Sequence, residues 1–269
     1  MLGQSVRQFA AAVMVVVAVI GCTSSPTGRS QLKLMSEQQL SQLGTQSFAQ
    51  LKQQEPVAQD PAVNRYVRCV TQPLLTQIPG GPAGWEIVVF SDSAINAFAM
   101  PGRKIGVYTG LLEVADTQDQ LAAVIGHEIV HVLADHANER ISQQMAVGLG
   151  VDALSALAGT QGAAAQDIAQ AVLGTGAQFG ILLPFSRVHE SEADAVGLEL
   201  MARAGFDPRA AVTLWQDMAA ASKGQPPEFL STHPSHGSRI EDLQAHMPQA
   251  MQLYEAAQAA GRRPACKAP

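Results

Sequence analysis

The stretch His127-Glu128-Ile129-Val130-His131 decides how this chain is read. Two histidines four apart on a helix share one face, with Cβ atoms about 5–6 Å apart. Both imidazoles can then reach one metal ion at about 2.0–2.1 Å. Glu128 follows the first histidine directly and points in a neighbouring direction, where its carboxylate can hold a water without being a ligand itself. This is the spacing of zinc peptidases, in which zinc lowers the pKa of a water and the glutamate takes its proton.

The flanking residues agree. Thr117 is a good N-cap and Gln120, three residues on, completes a capping box, so the spacing predicts a helix over Gln118–Arg140. Leu121, Val124, Ile125, Ile129, Val132 and Leu133 surround the motif on nearly every side, the pattern of a buried helix. Buried polar groups need partners. A metal supplies them; two core histidines bonded to backbone are the plainer alternative.

A catalytic zinc has three protein ligands and an open position. The best source of the third is His189-Glu190-Ser191-Glu192-Ala193-Asp194. Glu190 and Asp194, four apart on a helix, share a face. Glu190 can ligate while Asp194 accepts the free ring N–H of a ligand histidine. Glu192 points elsewhere, toward solvent or a salt bridge, and His189 is a rival ligand whose ring would face away from Asp194.

The N-terminus reads as a targeting segment. Arg7 is followed by an apolar run, Phe9–Ile20, too short to span a membrane, which takes about 20 residues. Val19-Ile20-Gly21-Cys22 then resembles a bacterial lipobox, with lipid attachment expected at Cys22; an ordinary secretory signal with a chance cysteine is the other reading. Thr23, rather than aspartate, follows the cysteine, and the resemblance to enterobacterial lipoproteins then implies the outer membrane, so the expected location is its periplasmic side. Cys69 and Cys266 remain, either bridged, as an oxidising compartment permits, or free. The formal net charge of −6 and the lack of a basic cluster argue against nucleic acid as a partner.

Along the chain, Thr23–Ser30 reads as a tether. Helices are expected over Ser36–Gln54 and Pro61–Ile78, a turn at Pro79–Pro82, and strands over Trp85–Phe90 and Lys104–Thr109. Asn96–Gly102 runs between those strands as a strand or loop beside the motif helix. Ile141–Leu183, rich in Ala, Gly and Leu, reads as one or two helices that pack in the core or cover the site. Further helices are expected from Arg187 to a Gly205 cap, from Asp207-Pro208, and after Pro234-Ser235 with Arg239 on it. The division is a leader over 1–21, a lipid-attached tether over 22–35, one catalytic domain over 36–255 and a tail over 256–269.

H-E-x-x-H followed by E-x-x-x-D resembles the gluzincin metallopeptidases that include the CAAX prenyl endopeptidase, HtpX, BepA and LoiP. Asn96-Ala97-Phe98-Ala99-Met100-Pro101-Gly102, His136, Arg140, Ser186-Arg187, Ala204-Gly205-Phe206-Asp207-Pro208 and Thr232-His233-Pro234 fit as well. The resemblance covers roughly residues 36–250 and is nearest to the single-domain lipoprotein proteases of the LoiP type. It implies an α+β fold, a mostly helical zincin-like domain with a small mixed or antiparallel sheet beside the active-site helix. It implies one zinc held by His127, His131 and Glu190, with Glu128 as general base and Asp194 orienting a ligand. His233 and Arg239 become candidates for the second electrophile; His233 is alternatively a resting-state zinc ligand, or an exposed loop residue.

Substrate is expected to add as an extended strand beside Asn96, Ala97, Phe98 and Ala99, with Phe98 lining a pocket or sitting in the core. His136 and Arg140 read as structural. The implied function is quality control, hydrolysis of misfolded or unfolded envelope proteins, with outer-membrane proteins or their assembly machinery as further partners. The competing readings are a chaperone-like outer-membrane assembly factor with a latent or structural zinc site, and a zinc hydrolase of cell-wall peptides.

Overall fold

The computed structural model describes residues 22–157, 185–221, 229, 231, 233 and 238–269. In chain order come β1 (Cys22–Ser24), β2 (Ser30–Leu32), α1 (Glu37–Gln54), α2 (Pro61–Leu75), β3 (Glu86–Phe90), β4 (Ala97–Met100) and β5 (Lys104–Tyr108). After a 3-10 turn follow α3 (Gln118–Leu133), α4 (His136–Leu157), α5 (Arg187–Ala204), α6 (Arg209–Ala221) and α7 (Arg239–Ala259). The α+β expectation holds. The leader lies outside the described residues, as does most of the Ala/Gly-rich stretch beyond α4.

The sheet is mixed, in the order β3-β5-β4. β3 runs parallel to β5, with Phe90 opposite Tyr108, and β4 runs antiparallel to it, with Ala99 opposite Ile105. β4 is thus an edge strand, and its outer side faces α3. Phe48, Phe90, Phe98 and Tyr108 make an edge-to-face cluster that holds α1 to this sheet.

The helix with the motif starts as expected. Thr117 caps it, and Gln120 closes the capping box. It does not run to Arg140. Asp135 adopts φ 52° and breaks the ladder between α3 and α4. Aspartate tolerates this left-handed conformation better than most residues, because its short polar side chain bonds locally. The break turns α4 back, so that His136 faces His131 rather than following it along one rod.

α5 packs between α3 and α7. The crossing is close because Gly126 meets Gly197: a Cβ on Gly197 would lie 3.0 Å from the His127 nitrogen and 3.1 Å from its Cα. Backbone cannot yield as a side chain can. Gly197→Ala is therefore expected to lower stability by about 1–3 kcal/mol through overpacking, read as an earlier urea midpoint. Gly205 ends α5 at φ 92°, the left-handed cap expected for it.

Two terminal segments differ from expectation. Where a tether is expected, β1 and β2 form an antiparallel hairpin with Cys22 opposite Leu32, and Ser25 and Gln31 are buried. Its polar residues find fixed partners on α4 and α5, so the Ser/Thr/Pro/Gly composition marks a tight turn and not a loose linker. At the other end α7 extends past residue 255, beyond the expected domain limit, while the tail is tied to the body as the bridged reading of Cys69 and Cys266 expects. Gln118 Nε2 donates to the Pro264 carbonyl, Cys266 N–H donates to Gln118, and Cys266 is disulfide-bonded to Cys69 with Cα atoms 5.7 Å apart. No described helix is long and apolar enough to cross a membrane.

Candidate metal centre

His127 and His131 project from α3, Glu190 from α5, and His233 from the segment before α7; all four are buried. One atom from each lies within 4.8 Å of the other three. His127 Nε2 is 3.0 Å from His131 Nε2 and 3.3 Å from His233 Nδ1. Glu190 places Oε2 at 3.5 Å from His127 Nε2, and Oε1 at 3.5 Å from His131 Nε2 and 3.1 Å from His233 Nδ1. Four ligands on arms of about 2.0–2.1 Å at tetrahedral angles stand roughly 3.3–3.4 Å apart, so a zinc ion fits this shell.

The outer hydrogen bonds agree. Asp194 Oδ1 sits 2.9 Å from His127 Nδ1, which places the ring proton there and leaves a lone pair on Nε2. His131 Nδ1 is 2.9 Å from His136 Nδ1, and His136 Nε2 is 3.2 Å from Glu192 Oε2. The carboxylate accepts from His136, so His136 accepts from His131, and His131 Nε2 also keeps a lone pair. Two lone pairs 3.0 Å apart beside a carboxylate repel unless a cation sits among them.

A proton can play that part. Burial alone would lower the His127 pKa, but the hydrogen bonds to Asp194 and Glu190 outweigh it and raise it to about 9. Burial would raise Glu190, yet His233 and His127 hold it far below the usual carboxylate range. Below pH 9 the metal must displace the His127 proton. Zinc binding at pH 7 is expected to release about one proton, and affinity is expected to rise with pH up to that value. Calorimetry in two buffers of different ionisation enthalpy reads the released proton; identical heats would contradict it.

Glu128 lies outside the ligand shell. Its Oε2 accepts the Ala99 N–H at 3.0 Å, from the open edge of β4, and its Oε1 is 3.3 Å from His233 Nε2. Burial raises its pKa, opposed by His233 and His127. A raised carboxylate pKa suits a group that must take a proton near neutrality.

Residues 61–247, well over half of the chain, match the model of Peptidase family M48. The chain belongs to that family. Its members are zinc-dependent metallopeptidases, and the buried cluster is the site where the donors for that zinc converge. Among relatives of this M48 chain, the mitochondrial metalloendopeptidase OMA1 of Bos taurus is 35% identical over 249 residues, covering 86% of this chain and 47% of its own. OMA1 of Schizosaccharomyces pombe is 42% identical over 168 residues, 62% of this chain and 48% of its own. The beta-barrel assembly-enhancing protease of Escherichia coli is 30% identical over 225 residues, 80% of this chain and 45% of its own. The chain spans about half the length of these curated relatives.

Within this M48 domain the structure places the residues singled out from sequence as follows. His127, His131 and Glu190 converge, Asp194 orients His127, and His233 joins the shell. Arg239 is a correction. It is buried behind the ligands, donating to Glu190 Oε2 at 3.2 Å and Asp194 Oδ1 at 2.6 Å, with its guanidinium over the Trp215 ring. It braces ligands and does not face the reacting side. Of the two readings of Phe98, the core one holds: it is packed in the aromatic cluster and over Gly106. Asn96 and Ala97 are buried, and the Asn96 carbonyl accepts the Tyr108 N–H, within the sheet. Of the four expected substrate contacts, Ala99 is the one whose backbone N–H opens outward onto Glu128. His189 does not ligate; it stacks on His136 and pairs with Glu139. Glu192 is buried in ion pairs, and its link through His136 to the ligand His131 is missed by sequence reading. The adjacency of His136 to the motif was the available signal; the helix break that turns it inward was not.

Proposed function

We propose that this chain is a zinc-dependent endopeptidase that hydrolyses unfolded or misfolded proteins on the periplasmic side of a bacterial outer membrane, held there by lipid on Cys22. The observation that carries the activity is Glu128. Its carboxylate stands between the donor shell and the open edge of β4, bonded to Ala99 N–H on one side and near His233 on the other.

A zinc held by His127, His131 and Glu190 would acidify a water and polarise a carbonyl. Glu128 takes the proton from the attacking water and passes it to the leaving amine. Asp194 and His136 hold the two ligand rings in the tautomers that this needs. A substrate strand pairs with the free edge of β4, displacing Glu128 from Ala99 N–H, so main-chain bonds supply affinity with modest side-chain preference. Unfolded chains offer such strands and folded ones do not. Mass spectrometry of digests tests this: cuts are expected in reduced casein, and far fewer in a stable folded protein or in peptidoglycan peptides. Cuts confined to peptidoglycan peptides would replace the proposed substrate.

His233 brings a fourth donor to the group, and on a zinc held by the other three it would take the place of the attacking water. We read it as a resting ligand that swings away when substrate binds. His233→Ala is expected to speed casein cleavage roughly tenfold, the equivalent of about 1.4 kcal/mol of masking. A variant slower than wild type would make His233 a participant instead.

The location rests on the leader-like N-terminus and Cys22. The Cys69–Cys266 bridge suits an oxidising compartment. The named role of the Escherichia coli relative in beta-barrel assembly supports outer-membrane proteins or their assembly machinery as partners. Radiolabelled palmitate should enter the wild type and not Cys22→Ser.

A further inference from the structure

Outside the ligand shell, a cluster of charges, with Glu139 and Glu192 buried and Arg29 partly buried, joins the N-terminal hairpin to α4 and α5. Arg29, in the turn of that hairpin, donates Nη1 and Nη2 to the two carboxylate oxygens of Glu139 at 2.6 and 2.8 Å. The same guanidinium reaches Glu192 Oε2 from Nη2 at 3.0 Å and from Nε at 3.3 Å. Thr27 donates its N–H and its hydroxyl to Glu192 Oε1 at 3.1 and 2.6 Å. Gln31 Nε2 adds a bond to Glu139 at 2.9 Å and one to the Ala134 carbonyl at 2.7 Å. Glu139 also receives His189 Nε2 at 3.1 Å.

Glu192 accepts four hydrogen bonds from Thr27 and Arg29 of the hairpin, and a fifth from His136. His136 in turn meets the ligand ring of His131. α5 therefore carries three carboxylates with one purpose. Glu190 ligates, Asp194 orients His127 directly, and Glu192 orients His131 through one intervening imidazole. Asp194 is braced by Arg239 from α7, and Glu192 is braced by Arg29 from the hairpin. Without Arg29 the Glu192 carboxylate loses its fixed position, and the His136 ring is free to turn its other nitrogen to His131. His131 would then present N–H instead of a lone pair to the metal.

We propose that the hairpin at residues 22–32 is a working part of the metal centre, and that Arg29 is a positioning residue that acts through Glu192 and His136 on His131. The inference rests on the zinc reading of the cluster. It makes metal binding depend on whether the segment that follows Cys22 is docked. Such outer supports typically command about 10–100-fold in metal affinity.

The test measures zinc affinity of the folded full-length chain by competition with a chromophoric chelator, alongside thermal unfolding of the metal-free protein. Arg29→Met should weaken zinc binding by about 10–100-fold, and Arg29→Lys, which keeps the charge but not the fork, by less. Lys33→Met is the control. It removes the Lys33–Asp135 ion pair, which docks the same segment without touching the relay, and should leave affinity within about twofold of wild type. Cobalt-substituted protein should show altered d–d bands in Arg29→Met and unaltered bands in Lys33→Met. A folded Arg29→Met protein with wild-type affinity and spectrum would overturn the proposal. So would equal losses in Lys33→Met, which would reduce Arg29 to general docking. If Arg29→Met does not fold, Thr27→Val, which removes one bond to Glu192, must show a smaller loss in the same direction or the proposal falls. His131→Ala separates this from the zinc reading: a wild type that binds zinc no better than His131→Ala would remove that reading, and the proposal with it.

Discussion

Glu128→Gln is expected to abolish measurable proteolysis while zinc stays bound. Glu128 is not one of the donors His127, His131, Glu190 and His233, and touches that group only at His233 Nε2, 3.3 Å from its Oε1, so the metal should remain at one per chain. The amide keeps an oxygen that can accept the Ala99 N–H, and the local packing survives. What it loses is the capacity to take a proton. A positioned general base contributes about 10²–10⁴-fold to rate, which is the expected fall in casein turnover. If the same variant fully restored envelope function to a deletion strain, proteolysis would not be the main task, and an assembly role with a latent site would take its place.

His131→Ala should have the other large effect, on the metal. His131 is one of the donor group, 3.0 Å from His127 Nε2 and 3.5 Å from Glu190 Oε1. Its loss removes a direct ligand and also cuts the relay from Glu192 and His136. The fall in zinc affinity should therefore exceed the roughly 100-fold that a supporting residue can command. Because Glu190 and His127 still pair in its absence, the apo fold should persist, and far-ultraviolet circular dichroism should be unchanged. A variant that keeps one tightly bound zinc would show that the metal sits elsewhere.

Periodicity and caps revealed much of this molecule in advance. The Thr117–Gln120 capping box, the i, i+4 pair His127/His131 and the i, i+4 pair Glu190/Asp194 are local patterns, and local patterns survive folding. The short alternating stretches mark β3 and β5, while the α+β class is what the family resemblance implies, with the sheet left mixed or antiparallel. What escaped was tertiary. The turn at Asp135 depends on one left-handed residue in an otherwise helical run. Composition at Thr23–Ser30 suggests a tether, because Gly, Pro and Ser mark a tight turn as readily as a linker; partners 100 and more residues away decide between them. Arg239 faces Asp194 and not the substrate side, a matter of which face α7 turns to α5. Phe98 was ambiguous in an alternating strand, and three other rings settle it as core.

The central claim is that one zinc, held by His127, His131 and Glu190 among these buried side chains, makes this chain a peptidase. The direct measurement is a titration of the metal-free protein with zinc, following casein cleavage and bound metal together. Cleavage should be absent at the start, rise in proportion to bound zinc, and reach its plateau at one equivalent per chain. Cleavage that persists in the metal-free protein, or a protein that binds one zinc at this site and still cuts nothing, would contradict it.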